Sequence, residues 1–240
     1  MKKKLFSVLQ NKFLYLTLFS VVIFSACKKS NVTNNTPTSG LMAFNLIPDS
    51  IPPLAFVLNG NSITNVPLSF NNYTGSYLPV YSGQRTLQLY LANSDSLLAT
   101  TNYTFETNKY YSAFAVGANG TYKNIMVADN LDSLPTSTGN AFVRYVNAIP
   151  DSSVQTVTIS ANETNNVTKP TSFGNVSAFT PFAPGNITVN LSNDSTISAN
   201  KTITLEKDKV YTILMTGLPH VTDTAKAVQI KYIVNGTLTK

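Results

Sequence analysis

The chain has 240 residues, a formal net charge of +6 and only 12% charged residues. A single Cys and a single His exclude an internal disulfide, a Cys-ligated zinc or iron–sulfur site and a His-rich metal centre. The 43% of hydrophobic residues argues against an intrinsically disordered chain. We therefore expect a folded protein with no metal and no cofactor.

The N-terminus has the organisation of a secretory signal peptide. Lys2, Lys3 and Lys4 form a positive segment, and residues 13–26 are almost wholly apolar. At ~1.5 Å per residue that apolar run spans about 21 Å of helix, which is shorter than the ~30 Å hydrocarbon core of a bilayer. The sequence therefore predicts a signal peptide over residues 1–26 rather than a membrane-spanning helix.

The apolar run ends in Phe24-Ser25-Ala26-Cys27, which resembles the lipobox of bacterial lipoproteins. The resemblance implies cleavage before Cys27 and lipidation of Cys27, which anchors the chain to a membrane, here predicted to be the outer membrane of the bacterial envelope. A Cys that follows an ordinary signal peptide by chance, or a buried core Cys, would be the alternatives. The position of the only Cys favours the lipid anchor.

Residues 27–40 are polar and lack an apolar period, which predicts a flexible tether. Residues 41–240 carry 11 basic and 11 acidic residues, so the excess positive charge belongs to the signal peptide and the tether. The charge balance therefore predicts no nucleic-acid binding. No acidic run follows Cys27, which leaves both the cell surface and the periplasmic face open as locations.

The rest of the chain contains two copies of one sequence repeat. Residues 44–50 (FNLIPDS) match residues 146–152 (VNAIPDS) at an offset of 102, and later matches such as Tyr111 with Tyr211 have an offset of 100. We predict a first domain over 41–131, a linker over 132–139 and a second domain over 140–240.

Each repeat has the pattern of an all-β domain. Residues 86–91 and 186–191 alternate polar and apolar side chains, which is typical of half-buried strands. About seven short strands per 100 residues indicate a β-sandwich. We expect two tandem sandwiches of the immunoglobulin-like or transthyretin-like kind.

Several motifs of the second repeat also occur in a known bacterial family. They are Asn147-Ala148-Ile149-Pro150-Asp151, Phe173-Gly174-Asn175-Val176-Ser177, Pro184-Gly185, Tyr211 and Gly217. In these motifs the chain resembles the domain-of-unknown-function family DUF4397, whose members are secreted and cell-envelope proteins. The resemblance implies a β-sandwich in the envelope and no particular activity. Asn45 and Asn147 stand where that family has His, which implies that any role of the His is absent.

The sequence offers few candidates for catalysis. Asp49 and Asp151 recur in the two repeats, but Pro-Asp-Ser is a typical turn sequence. His220 follows a proline in a predicted loop, with no second His nearby. No phosphate-binding glycine loop and no Gly-x-Ser-x-Gly motif is present. We therefore expect a protein that is not an enzyme.

Comparison of the two repeats divides the tyrosines into predicted core residues and predicted surface residues. The core set has apolar equivalents in the second repeat: Tyr77, Tyr103, Tyr110 and Tyr111. Tyr81 and Tyr90 align with Ala183 and Ser192, which predicts exposed rings suited to contact a glycan or protein partner. Scattered surface aromatics that contact no partner are the alternative.

Six of the eight Asp residues precede Ser or Thr. Five of these pairs resemble the Asp-Ser/Thr-apolar sequence at which some bacterial envelope proteins are O-glycosylated. The hydroxyls concerned are those of Ser50, Ser96, Ser133, Ser195 and Thr224. Asp-Ser pairs are also frequent in turns, and the sequence does not separate the two interpretations.

Three functions follow from these observations. The first is a non-catalytic envelope lipoprotein that binds a glycan or a protein. The alternative is a structural spacer or an accessory subunit of an envelope assembly with no ligand of its own. A hydrolase, the weakest hypothesis, needs two carboxylates facing each other across a cleft at roughly 5–10 Å.

Overall fold

The computed structural model describes residues 36–49, 51–136, 138–151, 153–162, 164–193 and 196–238. The predicted signal peptide, Cys27 and two of the predicted glycosylation residues, Ser50 and Ser195, lie outside the described residues. One compact unit, Pro37–Lys240, contains both repeats.

The first repeat folds into two four-stranded sheets. Its strands are β1 (Thr38–Asn45), β2 (Leu54–Leu58), β3 (Asn61–Ser62), β4 (Leu78–Tyr81), β5 (Gly83–Leu91), β6 (Leu97–Phe105), β7 (Tyr110–Ala118) and β8 (Thr121–Ala128). One sheet has the order β4-β1-β7-β8 and the other β3-β2-β5-β6. Strand β1 begins within the predicted tether, because Thr38, Ser39 and Gly40 pair with β4 and the Ser39 side chain is buried.

The second repeat has the same topology. Its strands are β9 (Ala141–Asn147), β10 (Gln155–Ala161), β11 (Thr164–Thr171), β12 (Thr180–Phe182), β13 (Gly185–Ser192), β14 (Ser198–Leu205), β15 (Lys209–Thr216) and β16 (Gln229–Thr237). Its sheets have the orders β12-β9-β15-β16 and β11-β10-β13-β14. The prediction of two tandem all-β sandwiches is confirmed. The only helical segment in the described residues is a short 3-10 helix, Leu131–Ser133, between the repeats.

The core of each sandwich follows from the period-2 pattern. In β13, Ile187, Val189 and Leu191 are buried while the residues between them face away from the core. Leu87 and Leu89 do the same in β5. Alternation places every second side chain between the two sheets, where its burial stabilises the sandwich.

A tyrosine fixes the same corner in both sandwiches. The backbone N–H of Glu106 donates a hydrogen bond of 2.9 Å to the hydroxyl of Tyr111, and that of Glu206 donates one of 2.9 Å to Tyr211. Both tyrosines are buried near the start of a central strand, β7 or β15. Immunoglobulin-like sandwiches use a comparable bond, known as the tyrosine corner, to secure the crossing between their sheets.

Asn45 and Asn147 have a structural role. Each side-chain amide accepts a bond from the backbone N–H two residues on, at 3.0 Å from Ile47 and 3.1 Å from Ile149. Each also donates to the backbone carbonyl of a neighbouring segment, Leu68 at 2.8 Å and Thr171 at 3.1 Å. These buried amides therefore tie the end of the first strand to the opposite sheet edge.

The two sandwiches share a third hydrophobic layer. All seven residues of β9 are buried, and seven of the nine in β7. Their outward side chains meet between the sandwiches in a cluster that contains Met42, Phe44, Leu46, Phe114, Val116, Val146, Ala148, Leu214 and Ile233. The central strands are therefore covered on both faces, as parallel strand pairs usually are.

A buried ion pair crosses this layer. Arg144 is 1% exposed, and its Nη1 donates a hydrogen bond of 2.6 Å to Oδ1 of Asp129. Its Nη2 donates to the hydroxyl of Ser112 at 2.8 Å, and its Nε donates to that of Thr212 at 2.9 Å. The guanidinium of the second repeat is therefore bound by side chains from both repeats.

The same bonds continue into a closed ring. Oδ2 of Asp129 accepts from the hydroxyls of Ser112 at 2.8 Å and Tyr77 at 2.5 Å. The Thr212 hydroxyl donates to Oδ1 of Asn235 at 2.6 Å, and Nδ2 of Asn235 donates to the Tyr77 hydroxyl at 3.2 Å. Burial and the adjacent Asp129 carboxylate raise the pKa of the Tyr77 hydroxyl, which keeps the hydroxyl a donor.

The ring combines equivalent residues of the two repeats. Ser112 and Thr212 match at the offset of 100. In each repeat the corner tyrosine pairs with a residue of the neighbouring antiparallel strand. The next residue along the chain is Asp129 in the first repeat and Asn235 in the second. One repeat thus contributes the carboxylate and the other contributes the amide at the same structural position.

We expect Arg144→Met, which introduces the residue found at the equivalent position 42, to lower the free energy of unfolding by about 3–5 kcal/mol. The substitution removes the Arg144 guanidinium and leaves the Asp129 carboxylate buried without a counter-charge. Urea unfolding of the variant checks this. The double variant Arg144→Met/Asp129→Asn should regain much of the loss.

The control is Lys209→Met, which breaks the solvent-exposed ion pair with Glu206 at 2.7 Å. It should lower the free energy of unfolding far less than Arg144→Met does, because exposed ion pairs contribute little. Equal losses in Arg144→Met and Lys209→Met would show that the buried pair does not hold the sandwiches together.

Candidate functional site

The first sandwich has a cavity on the side where β3 and β4 form the sheet edges. The cavity has a volume of about 570 Å³. We call it the Tyr81 cavity; its lining includes Leu58, Asn59, Asn61, Val80, Tyr81 and Arg85. A volume in this range suits a small molecule or a few sugar units.

A tight hairpin forms one wall of the Tyr81 cavity. Asn59 and Gly60 connect β2 to β3, both with positive φ (47° and 81°), as a type I′ turn requires. Oδ1 of Asn59 accepts a hydrogen bond of 2.7 Å from the backbone N–H of Thr86, which attaches the turn to β5. Because β3 ends after Ser62, the side of the sandwich stays open here.

Tyr81 and Arg85 form the opposite wall. Tyr81 is 60% exposed, although it is the last residue of β4. Nε of Arg85 donates to the carbonyl of Tyr81 at 3.1 Å, and its Nη2 donates to the carbonyl of Ser82 at 2.8 Å. The guanidinium carbon lies 6.0 Å from the centre of the Tyr81 ring. The backbone carbonyls therefore hold the Arg85 guanidinium beside the Tyr81 ring.

Among the described residues that line the Tyr81 cavity, Arg85 is the only charged one. Of the ion pairs between described residues, none involves Arg85. The cavity therefore presents a positive charge with no carboxylate close enough to pair with it.

The second sandwich lacks the Tyr81–Arg85 pair. Ala183 stands at the position of Tyr81, and Ile187, which is buried in the core, stands at that of Arg85. The edge strand β11 also has eight residues where β3 has two. The fold therefore forms without the Tyr81–Arg85 pair, and this pair is particular to the first repeat.

A smaller cavity of about 230 Å³ adjoins the Tyr81 cavity and shares Thr38 and Pro79 with it. The rings of Tyr77 and Tyr110 meet here edge to face, with centres 4.9 Å apart. A Cβ on residue 40 would lie 2.6 Å from the Tyr110 ring, so only glycine at this position leaves room for the ring. The prediction that Tyr110 belongs to the core is wrong: it is 44% exposed, because its ring lies across the outer surface at Gly40.

The structure does not bring Tyr81 and Tyr90 together. Tyr90 is half-buried near the end of β5, where the register with β6 shifts. Strand geometry places it roughly 23 Å from Gly83, which begins β5 beside Tyr81. A small ligand at Tyr81 therefore cannot contact Tyr90.

The two Pro-Asp turns differ in structure. Asp151 forms the predicted turn, since its Oδ1 accepts from the backbone N–H of Ser153 at 2.9 Å. Asp49 instead reaches the β7–β8 hairpin, where its Oδ2 accepts from the N–H of Asn119 at 2.8 Å and from the Tyr122 hydroxyl at 2.7 Å. Both carboxylates thus hold parts of the fold together.

His220 lies in a loop that only the second repeat has. Residues 217–228 join β15 to β16, whereas Asn119 and Gly120 alone join β7 to β8. The loop and Asp49 line an open cleft of about 650 Å³, which also contains Asp223. Asp223 lies 3.8 Å from Lys226 and accepts a bond of 3.0 Å from the N–H of Ala225. Among the described residues, no group of three or more His, Cys, Asp or Glu side chains could hold a metal ion.

Three of the five predicted glycosylation residues are described, and all three are exposed. Ser96 lies in the β5–β6 turn, Ser133 ends the 3-10 helix, and Thr224 lies in the loop 217–228. The Ser133 hydroxyl donates to the carbonyl of Asn130 at 2.7 Å. Glycosylation of these hydroxyls stays a prediction.

The chain belongs to the family described as domain of unknown function DUF4397, whose pattern it matches twice, over residues 39–154 and 141–231. The two matches correspond to the two sandwiches. A search of curated proteins finds no match. Over the described residues, no helix is long and apolar enough to span a membrane.

Sequence reasoning missed the ion pair between Arg144 and Asp129, and it did not single out Arg85. The chain contains only these two arginines. Arg144 interrupts an otherwise apolar strand, AFVRYVN, and a charge in such a run indicates a buried partner. The Asn59-Gly60 turn was also readable as a hairpin signal.

We expect Tyr81→Ala, which introduces the residue of the second repeat, to change the free energy of unfolding by no more than about 0.5 kcal/mol, since the ring contributes little to the core. Urea unfolding checks this. The matched control is Tyr111→Ala, which removes a buried ring and should cost about 3–5 kcal/mol. A comparable loss for Tyr81→Ala would mean that Tyr81 serves the fold.

Proposed function

We propose that the protein is a non-catalytic binding module of the bacterial cell envelope, and that its Tyr81 cavity holds the ligand, a glycan or a segment of a protein. The observation that carries the proposal is the exposed Tyr81 ring, beside which the backbone holds the Arg85 guanidinium, in one repeat only. Because the second repeat folds without this pair, its place in the first repeat is best explained by a contact outside the fold.

The chemistry of the Tyr81 cavity favours a glycan over a protein segment. Tyr81 offers a flat apolar face, on which the C–H groups of a sugar ring can stack. Asn59 and Asn61 offer amide groups, which suit sugar hydroxyls. A concave site with an aromatic face and a few polar groups is the usual form of a small-ligand site.

A structural spacer is the second candidate function. The buried Arg144–Asp129 pair and the shared layer join the two sandwiches through their central sheets. Such a body resists bending between its repeats, as a spacer would need. A spacer with no ligand does not, however, account for the Tyr81 cavity.

We further propose that Cys27 is lipidated and anchors the protein to the outer membrane, on the cell surface or on the periplasmic face. The lipobox-like segment before the only Cys supports this. Strand β1 begins at Thr38, so ten residues, 28–37, separate Cys27 from the first sandwich. That length spans at most about 40 Å, which keeps the sandwiches close to the bilayer.

We expect the full chain to bind at least one oligosaccharide on a glycan array, and Tyr81→Ala to weaken that binding about tenfold, because the stacked ring is lost. Tyr90→Ala is the matched control and should bind normally, since Tyr90 lies at the far end of β5. If no glycan binds, or if both variants bind as the wild type does, the glycan-binding proposal is wrong and the spacer is favoured.

In cells that process lipoproteins, Cys27→Ala should abolish incorporation of labelled palmitate and release the protein from the membrane fraction, because the thiol that carries the lipid is gone. Ser30→Ala is the control and should stay membrane-bound. Antibody labelling of intact cells against permeabilised cells then determines the face. Continued palmitate labelling of Cys27→Ala would contradict the proposed anchor.

A further inference from the structure

We infer that the ligand of the Tyr81 cavity is an acidic saccharide, whose anionic group binds to Arg85. This inference rests on the proposed function, since it names the class of glycan that the site takes. It follows from the charge of the cavity, from the way Arg85 is held and from the groups around it.

The charge of the cavity sets the sign of the ligand. The described lining residues contribute one guanidinium and no carboxylate, and Arg85 pairs with no described acid. The chain's other arginine, Arg144, has a buried carboxylate at 2.6 Å. A neutral ligand would leave the charge of Arg85 uncompensated within the site, whereas an anionic ligand neutralises it.

The hydrogen bonds of Arg85 leave its anion-binding edge available. A guanidinium has five N–H donors, and Arg85 uses two of them within the fold. The Nε–H donates to the carbonyl of Tyr81, and one N–H of Nη2 donates to the carbonyl of Ser82. Both N–H groups of Nη1 and the second of Nη2 make no hydrogen bond to a described residue. Two parallel donors of this kind match the two oxygens of a carboxylate or of a sulfate or phosphate group.

The backbone bonds also position the guanidinium in advance. Two carbonyl acceptors restrict the long Arg85 side chain, so less conformational entropy is lost when the anion binds. The guanidinium carbon lies over the Tyr81 ring, 6.0 Å from its centre, so a sugar unit whose acid group binds Arg85 lies within reach of the Tyr81 side chain as well. One sugar unit can therefore meet both side chains at once.

Amide groups with spare hydrogen-bonding capacity lie on the opposite wall. Asn59 uses its Oδ1 to accept from the Thr86 N–H, and its Nδ2 makes no hydrogen bond to a described residue. Asn61 donates from Nδ2 to the Asn59 carbonyl at 3.3 Å, which leaves its Oδ1 as an acceptor. The amides can bind sugar hydroxyls while Arg85 binds the acid, which distinguishes an acidic saccharide from a simple anion.

The test compares acidic sugars with their neutral counterparts on the full chain, purified in detergent. The probes are oligogalacturonate against its methyl ester, sialyllactose against lactose, and sulfated against unsulfated oligogalactose. The wild type should bind at least one acidic probe about 10–100-fold more tightly than its neutral counterpart, as expected for a charge-assisted hydrogen bond. Raised salt should reduce the difference. The three pairs also show whether the anion is a carboxylate or a sulfate.

Two Arg85 variants separate the charge from the fold. Arg85→Gln should remove the preference for the acidic probe. Arg85→Lys keeps the charge but loses the pair of parallel N–H donors, so it should retain part of the preference. Both should unfold at the wild-type urea concentration, which checks that the sandwich is intact.

Failure of the inference is distinguishable from failure of the proposed function. If each neutral sugar binds as well as its acidic counterpart and Tyr81→Ala abolishes both, the cavity binds glycans but the inference is overturned. If Arg85→Gln keeps the preference for acid, the inference is likewise overturned. If no probe and no array glycan binds, the proposed function fails together with the inference.

Discussion

The buried ion pair between Arg144 and Asp129 is the constraint on which the arrangement of the two sandwiches depends. A guanidinium that is 1% exposed is stable only where every side of it meets an acceptor or an aromatic face. Asp129 and Ser112 come from the first repeat and Thr212 from the second, so neither sandwich alone can bury this charge. The packing that completes the pair also covers the outward faces of the central strands, which would otherwise expose a continuous apolar surface.

Duplication of the sandwich separates the residues that the fold requires from those that it does not. The corner tyrosines and the buried Asn45 and Asn147 make equivalent bonds in both repeats, so they belong to the fold itself. The Tyr81–Arg85 pair and the loop 217–228 each occur once. The first repeat keeps an open side because β3 is short, while β11 extends along the same side of the second.

The repeats have diverged in their ionic character at one shared position. Asp129 and Asn235 follow equivalent residues, yet only the first is a carboxylate, and the Tyr77 hydroxyl bonds to both. A second carboxylate here would place two like charges around one guanidinium, which would disfavour ionisation of one of them. The asymmetry thus lets two copies of one domain meet around a single buried charge.

The local features can be read from the amino-acid sequence: the repeat, the alternating strands, the tyrosines of the core such as Tyr111, and the turn at Asp151. These depend on periodicity and on neighbours close in the chain. Three features depend instead on the folded chain: the repeats share a core, Tyr110 lies outside it across Gly40, and Tyr81 lies beside Arg85 but not Tyr90. Such contacts depend on which strands pair and which sheet faces meet. The alternation of polar and apolar residues within one strand contains no information about either.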